Sequence, residues 1–113
     1  KRRSIGGINT VILLFRHLNA ESNHVDAEKL MKSTIDQLEL QTLWFDGTQC
    51  NAHQALAAEL EKLGRYSEAT KVYQSALANI TPERAENPGV GSSIPLFKEA
   101  IARLKKKERE EKR

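Results

Sequence analysis

A chain of 113 residues holds one domain with a modest hydrophobic core, and its single cysteine excludes an intramolecular disulfide framework. The net charge of +3 sits at the ends: Lys1, Arg2 and Arg3 supply +3, residues 105–113 another +3, and residues 4–104, with nine bases and twelve acids, carry −3. A nucleic-acid binder concentrates positive charge on a folded face, so no nucleic-acid partner is expected, and the longest apolar run, Val11 to Phe15, is too short to insert across a membrane.

Aromatic residues are sparse while Ala, Leu, Glu and Lys are abundant, which favours helix over strand. The first residue is Lys1 rather than Met, and no signal or transit segment precedes the first periodic stretch. The chain is therefore expected to be a fragment of a longer polypeptide.

The first expected helix lies in INTVILLFRHLNAE, where Val11, Leu14, Phe15 and Leu18 recur at i, i+3, i+4 and i+7, although its β-branched run can also be read as a strand. Gly6 and Gly7 precede it, and Asn9 or Thr10 can cap it. Ile12 and Leu13 fall off that stripe, so the helix is apolar around much of its circumference. Ile12, Leu13 and Phe15 are accordingly the candidate face for self-association or a partner. After the turn residues Ser22-Asn23-His24, Asp26 is positioned to cap a second helix with Ala27, Leu30, Met31, Ile35 and Leu38 on one side. Glu28 and Lys32 form an i,i+4 pair on its other side.

Leu43 and Trp44 are expected to turn inward at a join, or in the first turn of a third helix. That helix carries Leu56, Leu60 and Leu63 among small Ala residues, and Gly64 ends it as a left-handed C-cap. The fourth helix has the clearest pattern, Ala69, Val72, Tyr73, Ala76, Leu77 and Ile80, and Pro82 closes it. A link as short as Gly64–Tyr66 makes the third and fourth helices antiparallel neighbours. The stretch ERAENPGVGSS reads as a loop rich in breakers. Ser92 or Ser93 then caps a fifth helix, with Pro95 in its first turn and Phe97, Ala100, Ile101 and Leu104 on its apolar stripe. Residues 1–104 thus form one helical domain, and 105–113 a charged C-terminal tail, read as a solvated helical extension that frays or as a cut-off stretch leading elsewhere.

Candidate chemistry is thin. Cys50 and His53 stand i,i+3 on one helix face and could form a nucleophile–base pair or part of a metal site. A zinc site needs three or four ligands, however, and His17 and His24 have no compatible spacing. Cysteine nucleophiles also favour electropositive, partly exposed settings over an Ala-rich helix, so a structural thiol is the better reading. Asp46-Gly47 could turn a hairpin, but neither flank alternates as a strand, and a helix N-terminus suits Asp46 better. PGVGSS has the small residues of a phosphate cradle but lacks the Lys-Ser/Thr pair and the preceding strand of nucleotide motifs. The tail's bases are interleaved with Glu, which favours self-pairing over phosphate or lipid contact. No catalytic constellation, metal or cofactor is expected, and the chain is read as not an enzyme.

GRYSEATKVYQSALANITP resembles the second helix of a tetratricopeptide repeat. Gly64, Ala69, Tyr73, Ala76 and Pro82 stand near that family's small, aromatic and proline positions, and Leu56, Ala57 and Leu60 suit the first helix, with His53 where a large aromatic is usual. No second copy appears at a 34-residue period. Residues 27–73 are also similar to the TssA/VasJ-like proteins of bacterial type VI secretion. The matching positions are Leu38, Gln41, Trp44, Asp46, Ala55, Leu56, Leu63, Gly64, Tyr66 and Ala69. That family usually continues with Arg-Leu-Pro-Gly-Leu and an Asp-Gly-Thr-Pro-Phe element; this chain has Glu86-Asn87-Pro88-Gly89-Val90 and no counterpart to the second.

The resemblance implies a non-enzymatic, self-associating scaffold of the bacterial cytoplasm that engages baseplate and tail sheath during sheath assembly. The resulting expectation is an all-α fold of about five helices with a tight, tetratricopeptide-like hairpin at its centre. Its expected core is Leu14, Leu18, Leu30, Ile35, Leu38, Trp44, Leu56, Leu60, Tyr73, Leu77, Phe97 and Ile101. The alternative is a tetratricopeptide-like adaptor that binds a partner peptide or protein in a groove.

Overall fold

The computed structural model describes residues 8–40 and 47–111, so the expectations for Trp44 and Asp46 fall outside the described residues. Among the described residues there are seven helices and no strand: α1 Ile8–Ala20, α2 His24–Leu40, α3 Gly47–Lys62, α4 Tyr66–Ala78, α5 Pro82–Ala85, α6 Pro88–Gly91 and α7 Ser93–Glu111. The all-α expectation holds. Helices α1 and α2 form one hairpin and α3 and α4 a second, with α1 packed on α3 and α7 lying along α4. The Cα positions fill a slab only 17 Å thick, about two helix layers at the usual interaxial spacing.

The same turn makes both hairpins. At the end of α3, Gly64 has φ +77°, its N–H donates to the Glu61 carbonyl at 3.0 Å, and the Arg65 N–H reaches back to the Leu60 carbonyl at 2.9 Å. These two bonds to a left-handed residue are a Schellman motif, which satisfies carbonyls the helix end would otherwise orphan. At the end of α1, Ser22 has φ +64°, its N–H donates to Asn19 at 3.0 Å, and the Asn23 N–H donates to Leu18 at 2.8 Å. The two turns coincide when the chain is shifted by 42 residues, Leu18 on Leu60 and Ser22 on Gly64. The shift also puts Ala27 on Ala69, both fully buried, where a small residue lets the second helix of each hairpin approach the first. The molecule is thus two copies of one helical hairpin packed side by side, with α7 lying along α4 of the second.

The core shows which sequence stripes face inward. Leu38, Leu56, Leu60, Tyr73 and Phe97 are buried as expected, and Leu18, Leu30, Ile35, Leu77 and Ile101 pack against them partly buried. Leu14 is a correction: it is 47% exposed, and the inward stripe of α1 is instead Ile8, Ile12 and Phe15, at i, i+4 and i+7. This helix must face α2 and α3 together, so its buried arc is rotated away from Leu14 toward Ile12. Helix α2 begins at His24, two residues before the expected cap Asp26, whose carboxylate accepts from the Asn23 side chain at 3.0 Å.

The expected breaker loop is also helical. Thr81 and Asn87 cap α5 and α6, and Pro82 and Pro88 follow them as first helical residues, where a missing N–H costs nothing. The Arg84 guanidinium of α5 donates to the Asn79 carbonyl at 2.7 Å, closing the C-terminal end of α4. Gly91 is demanded by packing, because a β-carbon there would overlap the Ala85 carbonyl oxygen. Helix α7 then runs unbroken through the charged stretch to Glu111. Phe97, Ala100 and Leu104 are buried, and the Phe97 ring lies 5.5 Å from that of Tyr73 at a tilt of 44°.

Candidate interaction surfaces

Cys50 and His53 do share a face of α3, but it is the inner one, and each is only 1% exposed. His53 Nδ1 lies 2.8 Å from the Gln49 carbonyl. A carbonyl only accepts, so Nδ1 carries the proton, which fixes the neutral ring's tautomer. Among the described residues no three His, Cys, Asp or Glu side chains are grouped to hold a metal ion, and no helix is long and apolar enough to cross a membrane. PGVGSS forms the compact turn α6, where Gly89 faces Gly47 at the start of α3.

Two ion-pair systems brace the helices. Between α1 and α3, Arg16 donates to both oxygens of Glu59, Nε at 3.0 Å and Nη2 at 2.6 Å. Glu59 is buried, and the hydrogen bonds from Arg16 hold its carboxyl below the ordinary range against the opposing pull of burial. Between α3 and α7, Glu61 accepts from Arg103 at 2.9 and 3.1 Å and from Lys107 at 2.9 Å. The Arg103 bonds lower the Glu61 carboxyl most; burial opposes them and Lys107 adds to them. Lys107 also sits 5.7 Å from the centre of the Tyr66 ring, so the charged tail is tied to the fold as far as this residue. Burial, with Glu61 adding to it, raises the Tyr73 hydroxyl. Across the hairpins, Arg65 of the second turn donates to Glu28 on α2 and Glu68 on α4, which raise its pKa.

Two open grooves run between equivalent helices. One, of about 330 Å³, separates α1 from α3 and is lined by Ile12, Leu13, Arg16, Ala55, Ala58, Glu59 and Lys62. The other, of about 380 Å³, lies where α2 and α4 approach, with Ile35 at its floor and Lys29, Lys32, Arg65 and Glu68 around it. Of the candidate face, Ile12 and Phe15 are in the core at 7% and 2% exposure, whereas Leu13 is 62% exposed. Leu14, counted with the core on sequence grounds, joins Leu13 on the surface.

No family model, curated protein or solved structure matches this chain.

Proposed function

We propose that the chain is a non-enzymatic protein-interaction and self-association module, a structural scaffold of the TssA/VasJ-like kind in bacterial type VI secretion. In that role it would act in the bacterial cytoplasm and engage baseplate and tail-sheath proteins during sheath assembly. The observation that carries self-association is the pair Leu13 and Leu14, exposed side by side on a helix whose only Lys, Arg, Asp or Glu is Arg16, itself committed to Glu59. Stacked hairpins support the scaffold reading because such units bury their faces on further helices of the same kind. The secretion assignment rests on the sequence resemblance over residues 27–73. Light scattering coupled to size-exclusion chromatography tests self-association: a dimer or larger species is expected at about 100 μM, well above a micromolar dissociation constant. A monomer at that concentration contradicts the reading.

A second reading is favoured by the α1–α3 groove. Its apolar floor, with Lys62 and the outer side of Arg16 at its edge, suits a tetratricopeptide-like adaptor that holds a partner peptide. Peptide-array binding that is abolished by Ala58→Trp, with the monomer otherwise unchanged, is the outcome that reading requires.

A further inference from the structure

We infer that the outer face of α7 is a docking surface for an acidic helix of another protein, held by Lys98, Lys105, Lys106 and Arg109 around Ala102. This surface is separate from the exposed leucines of α1 and from the groove between α1 and α3.

The packing of α7 creates the strip. Ser93, Phe97, Ala100 and Leu104 face the core, which turns Lys98, Ala102, Lys105, Lys106 and Arg109 outward, and all five are exposed. At 3.6 residues per turn these five positions fall within an arc of about 100°, and no carboxylate of the helix shares it. The other bases of α7, Arg103 and Lys107, are paired with Glu61 of α3. Lys98, Lys105, Lys106 and Arg109 make no side-chain hydrogen bond or ion pair among the described residues, so the self-pairing expected from the interleaved Glu residues is not found there. Cations set side by side without a counter-charge repel one another, Lys105 and Arg109 at i,i+4 most directly, and an anionic partner relieves that repulsion.

The shape of the strip selects its occupant. From Lys98 to Arg109 it is about 16 Å long at 1.5 Å per residue, and its width is about that of one helix, 10 Å. A partner helix has the same rise, so carboxylates at i, i+7 and i+11 on one of its faces come level with Lys98, Lys105 and Arg109 together. Ala102, the small residue between them, lets the two axes approach closely. A wide anionic surface also meets the flank of α7 that carries Glu99 and Glu110, and is repelled there. A lipid surface gains nothing by insertion, because the apolar stripe of α7 is in the core. Nor does a second copy supply the complement: among the described residues no helix of this chain carries three carboxylates on one face without a base between them. Complementary charge therefore points to a different protein, and fixes its register along α7.

Fluorescence anisotropy with two Ala-rich helical peptides of identical composition, each about 25 residues long, tests the inference. One peptide carries its Glu residues on one face, at i, i+4, i+7 and i+11; its isomer spreads the same residues around the helix. They are titrated with the wild type, with Lys105→Glu/Arg109→Glu, and with Lys29→Glu/Lys32→Glu, a control on exposed positions of α2 that changes net charge equally. Circular dichroism checks the fold of each. The expected result is at least about tenfold tighter binding of the one-face peptide than of its isomer by wild type and control, with that preference lost in Lys105→Glu/Arg109→Glu. Ala102→Trp keeps every charge and should weaken the one-face peptide about tenfold, so the face is tested even if the double charge reversal perturbs α7. Equal binding of the two peptides, an equal loss in the control, or no binding at about 100 μM overturns the inference. Phosphatidylserine vesicles or duplex DNA that bind the wild type more tightly than the one-face peptide, and are released by Lys105→Glu/Arg109→Glu, overturn it as well by assigning the strip to phosphates.

Discussion

The two hairpins make the same turn with different residues and end in different surroundings. Helices α3 and α4 turn at Gly64, where a positive φ carries no side-chain penalty, and are covered by α1 on one side and α7 on the other. Helices α1 and α2 turn at Ser22 in the same left-handed conformation and, among the described residues, are covered by the second hairpin alone. One hairpin therefore has an optimal turn and a sealed interior, the other a strained turn and an open outer wall. In a stack, burial and strain follow the place of a unit in the array as much as its own sequence.

That contrast is tested most sharply at the equivalent leucines. Leu56→Ala should cost about 2–5 kcal/mol, because a fully buried side chain leaves a cavity among α3, α4 and their neighbours. Leu14→Ala, measured in dilute solution where chains are monomeric, should change stability by no more than about 0.5 kcal/mol. Urea unfolding of both variants compares them, and equal losses would show that the two positions are not in different environments.

The turns give the next largest effect. Gly64→Ala should destabilise by about 1 kcal/mol, since an alanine β-carbon is disfavoured at φ +77° even though nothing crowds it. Ser22→Gly should act in the opposite direction by a similar amount, about 1 kcal/mol. Thermal melts of the two variants should shift with opposite signs. A fall in stability for Ser22→Gly would break the equivalence of the turns.

The smallest effect is on acid sensitivity. Glu59 and Glu61 are held below their ordinary value of 4.5 by Arg16 and Arg103 respectively. The folded values lie below the unfolded ones, so this contribution is fully present above pH 4.5 and is lost as pH falls through the lowered values. Glu59→Gln and Glu61→Gln should each flatten the decline of urea midpoint with falling pH below 4.5, with little change in that slope at neutral pH. An acid limb as steep as the wild type's in both variants would remove these pairs from the account.

Much of the fold was legible because local signals agree with the packing. The α4 stripe predicted its burial: Ala69, Val72, Tyr73 and Ala76 are buried, and Leu77 and Ile80 pack against the core. Gly64 marked its turn for the same reason. Helix α1 is harder, since with Val, Ile, Leu and Phe at five successive positions, 11–15, and Leu again at 18, no single arc stands out, and neighbours rather than periodicity choose the face. The repeat was hidden by divergence. Aligned at 42 residues, the hairpins share Asn9 with Asn51, Leu14 with Leu56, Leu18 with Leu60, Ala27 with Ala69, Lys29 with Lys71 and Ser33 with Ser75, and little else. Ser22 in place of glycine concealed the matching turn. The prolines at 82 and 88 read as stops because each both ends one segment and begins another. The candidate surface shares the fate of α1: the sequence marks Leu13 as off the stripe, whereas the exposure of Leu14 follows from packing alone.

The central claim is that the chain self-associates through the exposed leucines of α1, Leu13 and Leu14. Sedimentation equilibrium of the wild type beside Leu14→Glu tests it most directly. The account predicts a wild-type dimer and a folded Leu14→Glu monomer at the same concentration, and the same mass for both proteins would contradict it.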